Sequence, residues 1–535
     1  MLMSSQDYRE SLRRYRPRVY VDGRVVESVA DEPALAPGIS AIGLTYDFAL
    51  REPLAPVMRA RSGAHEINRM NAIPASSQDL LNKLEAVRLL CQESGCAQRY
   101  LGGDALAALR QATRRIDADK GTDYGARLAA YLERVHAEDL ALGIAMTDGK
   151  GDRRFRPHEQ ANPASYVHIA ERRKDGIVLA GAKAIITAAP YVHELLVMPC
   201  RNMTRADAEF AVCCAVPLDA EGLTIVARPA GRPGEKAAKF SARYGQSTGV
   251  AIFDRVFVPW ERVFLAGEWE HSGFLTYSYA THHRHTCIAA RAGFGDLLIG
   301  AGALMTEANG IDLDAAPSLR EAMVDLIKIV EGFYACGVAA SVYCTADEAG
   351  VAVPEVVFAN IGKLLLATQI YDMHRLAHHV SGGLIVTLPG PDEDHNPATA
   401  GRLSELLGAR SDIPYARRIE VARLVEDLTA SYQGGWYSVI SLHGGGSPEA
   451  MKMEIWRNYP LGNKVDLVER LLERGVLSDG VRAITRNRQP GRCCVEGCQA
   501  PPAPQMVALP APSPTRRGTA SAGRAGRRSA ARADR

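Results

Sequence analysis

The hydrophobic period of this chain changes twice, and that change constrains its architecture more than any single motif. From Asp79 to Leu142 apolar residues recur three and four apart, as in DLLNKLEAVRLL and YGARLAAYLERV. This spacing predicts amphipathic helices, with a break at Gly102–Gly103. Between Tyr166 and Phe264 the period falls to two. Runs such as DGIVLAGAKAIIT, AEFAVCCAVP, GLTIVARP and GVAIFDRVFVP are punctuated by Gly or Pro, the pattern of strands bounded by turns. After Phe274 helical spacing returns and lasts to about Val476. The chain therefore reads as an α+β protein with an N-terminal helical domain (1–145), a middle β domain (146–272) and a C-terminal helical bundle (273–484). Residues 485–535 are rich in Pro, Ala, Arg and Ser without periodicity. They bury too little apolar surface to offset ordering entropy and read as a disordered basic tail.

Length and composition suit several packed layers, with 535 residues, 47% hydrophobic and 23% charged. The net charge is +2, yet Arg486–Arg535 holds ten Arg against Glu496 and Asp534, so the tail carries +8 and residues 1–485 carry −6. A mildly acidic body argues against nucleic acid as a partner, and the tail reads as a solvated extension. No run of 18 apolar residues and no charged-then-apolar leader is visible. The expectation is a cytoplasmic protein with no membrane segment. The 11 Cys show no paired C-x2-C pattern and read as reduced thiols.

Three segments carry residue types suited to a cofactor. AMTDGKGDR (Ala145–Arg153) puts small and hydroxyl residues at the helix-to-sheet junction, leaving backbone N–H groups for a ring edge; a Gly-rich surface turn has the same composition. In GAKAIITAAPYVHE, Gly181 permits close backbone approach and Thr187 offers a hydroxyl at a strand end, although Thr is also an ordinary β-former. HGGGSP (His443–Pro448) forms either an anion nest before a helix or that helix's cap. No G-x-G-x-x-G follows a strand, which counts against a Rossmann dinucleotide site.

These strings resemble the family that contains the 4-hydroxyphenylacetate 3-monooxygenases and the 4-hydroxybutyryl-CoA dehydratases. The opening MLMSSQDYRESLRRYRPRVYVDGRVVESV, FDRVFVPWERVFL, GFGDLLIGA and SGGLIVTLP share the resemblance, which runs from Met1 to about Leu472 and is greater to the dehydratase branch. It implies an acyl-CoA dehydrogenase-like fold, FAD between the β domain and the bundle, a small-molecule substrate and a homotetramer with shared sites. By the same resemblance Ala145, Met146 and Thr147 cradle the flavin ring. Asp148, Lys150, Asp152 and Arg153 fix the turn or reach the phosphates. Thr187 bonds the pyrimidine side of the flavin, and Gly445, Gly446 and Ser447 meet the cofactor. His193 lies near flavin or substrate, or serves as a structural histidine.

The dehydratases hold a [4Fe-4S] cluster with three Cys and one His, and the matching positions here are Cys96, Tyr100, His283 and Ala290. Two ligands are missing. Thr248 and Cys287 also stand where that branch has its proton-transferring carboxylate and tyrosine. The resemblance thus points away from a cluster, with a rearranged set of Cys91, Cys96, His283 and Cys287 as the alternative. Without a cluster, Arg99, Tyr100 and His283, with Thr187, wall a flavin pocket. This resembles the monooxygenase branch, where an Arg and a Tyr hold a phenol and a His assists its deprotonation; that branch's other pocket His is Ile144 here. The leading expectation is a two-component monooxygenase that takes reduced FAD from a separate reductase. The alternatives are a dehydratase or vinylacetyl-CoA Δ-isomerase with His283 or Cys287 as base, and a flavin-binding protein without catalysis.

Overall fold

The computed structural model describes residues 2–63 and 65–474, so the expected tail at 485–535 lies outside them. It is a mixed helix-and-sheet structure that runs from helices through strands to helices. The N-terminal region also supplies strands. Arg18–Val21 runs parallel to Leu223–Ala227, and Leu142–Ala145 runs parallel to Glu194–Val197. Both segments are short and rich in β-branched or apolar residues, which suits a buried strand better than a helix.

Two sheets result. The larger has the order Arg24–Val25, Arg18–Val21, Leu223–Ala227, Thr248–Pro259, Gly176–Thr187, His168–Arg172; the smaller has Val263–Ala266, Val212–Pro217, Glu194–Val197, Leu142–Ala145. Val19, Ile177, Leu179, Val212, Cys214, Ile225 and Phe253 share one core drawn from both. Successive side chains of a strand point to opposite faces. Cys213, Ala215 and Leu196 accordingly belong to a second core with Leu84, Leu90, Leu106 and Ala289 of the helices. The adjacent Cys213 and Cys214 serve different layers for this reason.

The helix Ser77–Ser94 ends at Gly95, whose φ of +69° suits glycine and whose N–H bonds the Cys91 carbonyl at 2.8 Å. The next helix, Tyr100–Lys120, begins after a short turn. The expected break at Gly102–Gly103 is therefore displaced to Gly95, and both glycines lie inside a helix. Packing explains them, because a Cβ at Gly103 would stand 2.6 Å from the Met70 carbonyl oxygen. The 40-residue helix Trp269–Ala308 packs against both of these helices and against Pro317–Val342 and Val356–Ser381. By length and composition it could cross a membrane, but 67% of its most apolar stretch is buried within the protein. It also carries buried His282, Arg284, His285 and Arg291, as a core helix around a polar site does.

Candidate functional site

Tyr279, His283, Cys287 and Arg291 follow one another at four-residue spacing on the long helix and form one stripe. Tyr100 and Asp104 of the helix Tyr100–Lys120 face it, with Cys96 in the turn just before that helix. The His283 ring lies between two tyrosines, 5.4 Å from Tyr279 at 10° and 6.4 Å from Tyr100 at 23°. Its Nδ1 is 3.6 Å from Asp104 Oδ2, and Cys287 Sγ is 3.5 Å from its Nε2. Lys83 Nζ and the Thr286 hydroxyl each donate to Asp104 at 2.6 Å, which fixes the carboxylate. Carboxylate, imidazole and thiol thus form a chain across two helices.

Burial alone would keep His283 neutral, but the Cys287 sulfur and Asp104 outweigh it and raise its pKa to about 9. Burial also opposes ionisation of Cys287, yet the imidazolium, with Arg291 and Lys363 beyond it, lowers the thiol to about 7. At neutral pH the imidazole is protonated and the thiol beside it is about half ionised. Tyr100 is fully buried, and its hydroxyl has no partner among the described residues. Burial pushes its pKa well up, so it is a neutral donor.

The HGGGSP loop closes on the other side of His283. A Cβ at Gly445 would lie 3.5 Å from His283 Cδ2, and Gly445 and Gly446 have φ of +76° and +103°. Arg284 holds the loop, its Nε donating to the Gly445 carbonyl at 2.9 Å and its Nη1 to Asn360 at 2.8 Å. Lys363, fully buried, donates to the Ser441 carbonyl at 2.9 Å, and burial lowers its pKa to about 7. The Gly446 N–H donates back to the His443 carbonyl, and Ser447 caps the helix Pro448–Asn458. Ser447 is thus committed to its helix.

At the sheet margin a buried ion pair shapes the turn after Ala145. Lys183 Nζ lies 2.7 Å from Asp148 and donates to the carbonyls of Met146 at 2.9 Å and Met198 at 2.8 Å. The Thr147 carbonyl accepts the Ala184 N–H at 2.7 Å, and Thr187 pairs with Thr248 across neighbouring strands. Met146, Thr147, Thr187 and Thr248 are half-buried. No hydrogen bond among the described residues engages the three threonine hydroxyls. Lys150 takes a positive φ in the turn, Asp152 pairs with Arg154, and Arg153 is exposed.

Two expected site residues are engaged elsewhere. Arg99 Nη2 donates to the Asp139 carboxylate at 2.5 Å and to the Asp139 carbonyl at 2.9 Å, and its guanidinium rests 3.8 Å from the Tyr46 ring centre. A buried guanidinium needs a counter-ion, and Asp139 supplies it away from His283. His193 lies at the opposite end of its strand pair from Met146. Its Nδ1 accepts the Ala141 N–H at 2.8 Å, and its Nε2 is 2.7 Å from the Ser11 hydroxyl. Burial holds it neutral, with a pKa of about 3, so it acts as a structural joint. The sequence reading missed Tyr279, Lys83, Asp104, Thr286, Arg291 and Lys363, although the four-residue spacing of the two stripes was visible.

The donor set does not fit a [4Fe-4S] cluster. Ala290 has no donor, and Tyr100 is a neutral hydroxyl in place of a thiolate. Cluster iron needs thiolates. Among the described residues no group of three or more His, Cys, Asp or Glu converges as a metal site does.

Family models of the 4-hydroxyphenylacetate 3-hydroxylase N-terminal and C-terminal regions match residues 4–265 and 272–473. A 4-hydroxybutyryl-CoA dehydratase/vinylacetyl-CoA-Δ-isomerase from Clostridium aminobutyricum is 33% identical over 488 residues, covering 88% of this chain and 99% of its own. A 4-hydroxyphenylacetate 3-monooxygenase oxygenase component from Thermus thermophilus is 23% identical, covering 88% and 97%. Among solved structures, an oxygen-tolerant 4-hydroxybutyryl-CoA dehydratase from N. maritimus matches at TM-score 0.84 and 32% identity, over 88% of this chain and 95% of that one. The oxygenase component of 4-hydroxyphenylacetate 3-monooxygenase, complexed with FAD and 4-hydroxyphenylacetate, matches in fold at TM-score 0.78 and 21% identity, over 88% and 99%. With both halves matched, the chain belongs to the 4-hydroxyphenylacetate 3-hydroxylase family.

Proposed function

We propose that the protein is the FAD-dependent oxygenase component of a two-component monooxygenase, which hydroxylates a phenol with oxygen and with reduced flavin from a separate reductase. The observation that carries this reading is Tyr100. Its buried hydroxyl, without a partner, stands beside His283 where the cluster-bearing branch needs a thiolate. The site thereby offers a hydrogen-bond donor to a phenol oxygen in place of a metal ligand. The oxygenase relatives support the same reading.

FAD suits the chain on two observations. The hydroxyls of Thr147, Thr187 and Thr248 are unused at one sheet margin, and Gly445–Gly446 keeps side-chain bulk away from His283. Ala145, Met146, Thr147 and Thr187 would hold the ring, and the Gly445 loop with Arg284 an anionic part. When bound and reduced, the flavin supplies the oxygen-activating chemistry. The chain's own residues do the rest. Tyr100 orients the phenol, and the Cys287–His283 pair takes up its proton at sulfur while Asp104 keeps the imidazole in place. We read the protein as a cytoplasmic homo-oligomer.

Turnover of 4-hydroxyphenylacetate with an FAD reductase, NADH and oxygen tests the proposal. Hydroxylated product, reduced at least about tenfold in Tyr100→Phe, is expected; oxygen consumption without product would oppose it. A second reading, an acyl-CoA dehydratase or isomerase, is favoured by the 33% identity to that branch against 23% to the oxygenase. It predicts solvent exchange of the α or γ protons of crotonyl-CoA with no oxygen uptake.

A further inference from the structure

Arg291 is a buried cation with no carboxylate partner. It is 2% exposed, its Nε donates to the Ser441 hydroxyl at 3.0 Å, and its guanidinium lies 4.8 Å from the Tyr437 ring centre. Its Nη1 has no partner among the described residues. The nearby anions are taken: Asp104 is matched by Lys83, the Cys287 sulfur by His283, and Glu454 faces Arg284. Lys363 donates to the Ser441 carbonyl and is held by burial at a pKa of about 7. Arg99 differs in its charge, which Asp139 neutralises, although its Nε and Nη1 are also buried without a partner among the described residues. An unmatched buried charge is costly, so such a group is retained where an anion completes it.

The second buried donor near Arg291 is the Tyr100 hydroxyl, also without a partner. Tyr100, Cys287 and Cys96 are the electrostatic neighbours of Arg291 after Tyr437. A guanidinium N–H and a phenolic O–H, both buried, both unpartnered among the described residues and electrostatic neighbours, suit one oxygen anion. We propose that Arg291 is the residue that binds the substrate's phenolate oxygen, with the Tyr100 hydroxyl donating to the same atom. This rests on the monooxygenase reading and makes it specific: the cation expected at Arg99 is supplied from the facing helix. The substrate class is a phenol bound as its anion, with the ring oxygen directed toward the Cys96–Arg291 end of the stripes.

The probe is 4-nitrophenol, whose phenolate absorbs in the visible and whose neutral form does not. The FAD-loaded protein is titrated at a pH where the free probe is about half ionised. The bound probe should be almost wholly phenolate. Arg291→Gln should bind it about ten- to a hundredfold more weakly, without the preference for the anion, and Arg291→Lys should keep part of it. Wild-type protein that binds the neutral phenol would overturn the proposal, and so would Arg291→Gln with wild-type phenolate binding. If Arg291→Gln does not fold, the wild-type spectrum and Arg291→Lys carry the test. Phenylacetate, which lacks the ring hydroxyl, should compete poorly with 4-hydroxyphenylacetate; equal competition would place a carboxylate at Arg291 and overturn the phenolate assignment. Phenolate binding that depends on Arg291, with no turnover of any phenol, would remove the monooxygenase reading and leave this site standing. Turnover undiminished in Arg291→Gln would do the reverse.

Discussion

Asp104 Oδ2 lies 3.6 Å from His283 Nδ1 across the contact of two helices, with the carboxylate wholly buried. Asp104→Asn should therefore act twice. It removes the anion that steadies the imidazolium, and it strands Lys83, 3% exposed, without its counter-ion. The second effect should cost about 3–5 kcal/mol in thermal or urea unfolding. Asp104→Asn with Lys83→Met should recover most of that stability while hydroxylation stays at least about tenfold below wild type. Full activity in the double variant would show that Asp104 serves stability alone.

The Cys287 thiolate gives a spectroscopic prediction. In the difference between wild type and Cys287→Ser, thiolate absorbance should rise as pH passes through about 7. Without the imidazolium the stabilisation of the charged sulfur is lost, so His283→Gln should move the rise to higher pH. A titration that stays in place in His283→Gln would disprove the pairing.

Acid stability follows from buried neutral histidines. Burial lowers the pKa of His193 to about 3, of His282 to about 4 and of His285 to about 3. The unfolded chain protonates each near about 6.5. Between about pH 6.5 and pH 4 the unfolded state binds more protons, so stability falls as pH drops. Each group contributes a slope of about 1.4 kcal/mol per pH unit. His193→Gln should flatten the urea-melt slope by about one such increment; an unchanged slope would mean that His193 is protonated in the folded protein.

Gly293 brings the long helix against Ser77–Ser94, where an added Cβ would stand 2.4 Å from the Arg88 carbonyl oxygen and 2.8 Å from Cys91 Cβ. Gly293→Ala should lower stability by at least about 1–3 kcal/mol and disturb the Arg291 end of the stripe. Wild-type melting of this variant would refute the close approach.

The sequence shows the helix–sheet–helix order because apolar periodicity is local. It hides the strand Arg18–Val21, whose four residues become a strand only when Leu223–Ala227 lies alongside. It also misplaces the helix break, because Gly102–Gly103 serves close packing while Gly95 makes the turn. At the site, Tyr100 and His283 are legible from the segments that carry them. The ion pair of Arg99 with Asp139 is not legible in the sequence, because their contact depends on how the helix packs. Arg291 is missed for the complementary reason: a charge without a partner is recognised only once the surroundings of the helix are known.

A flavin site without an iron–sulfur cluster is decided by the iron content and absorption spectrum of anaerobically purified full-length protein. A flavin spectrum with FAD bound and iron at background is expected. About four iron and four sulfide per chain, with the broad visible absorption of a cluster, would contradict it.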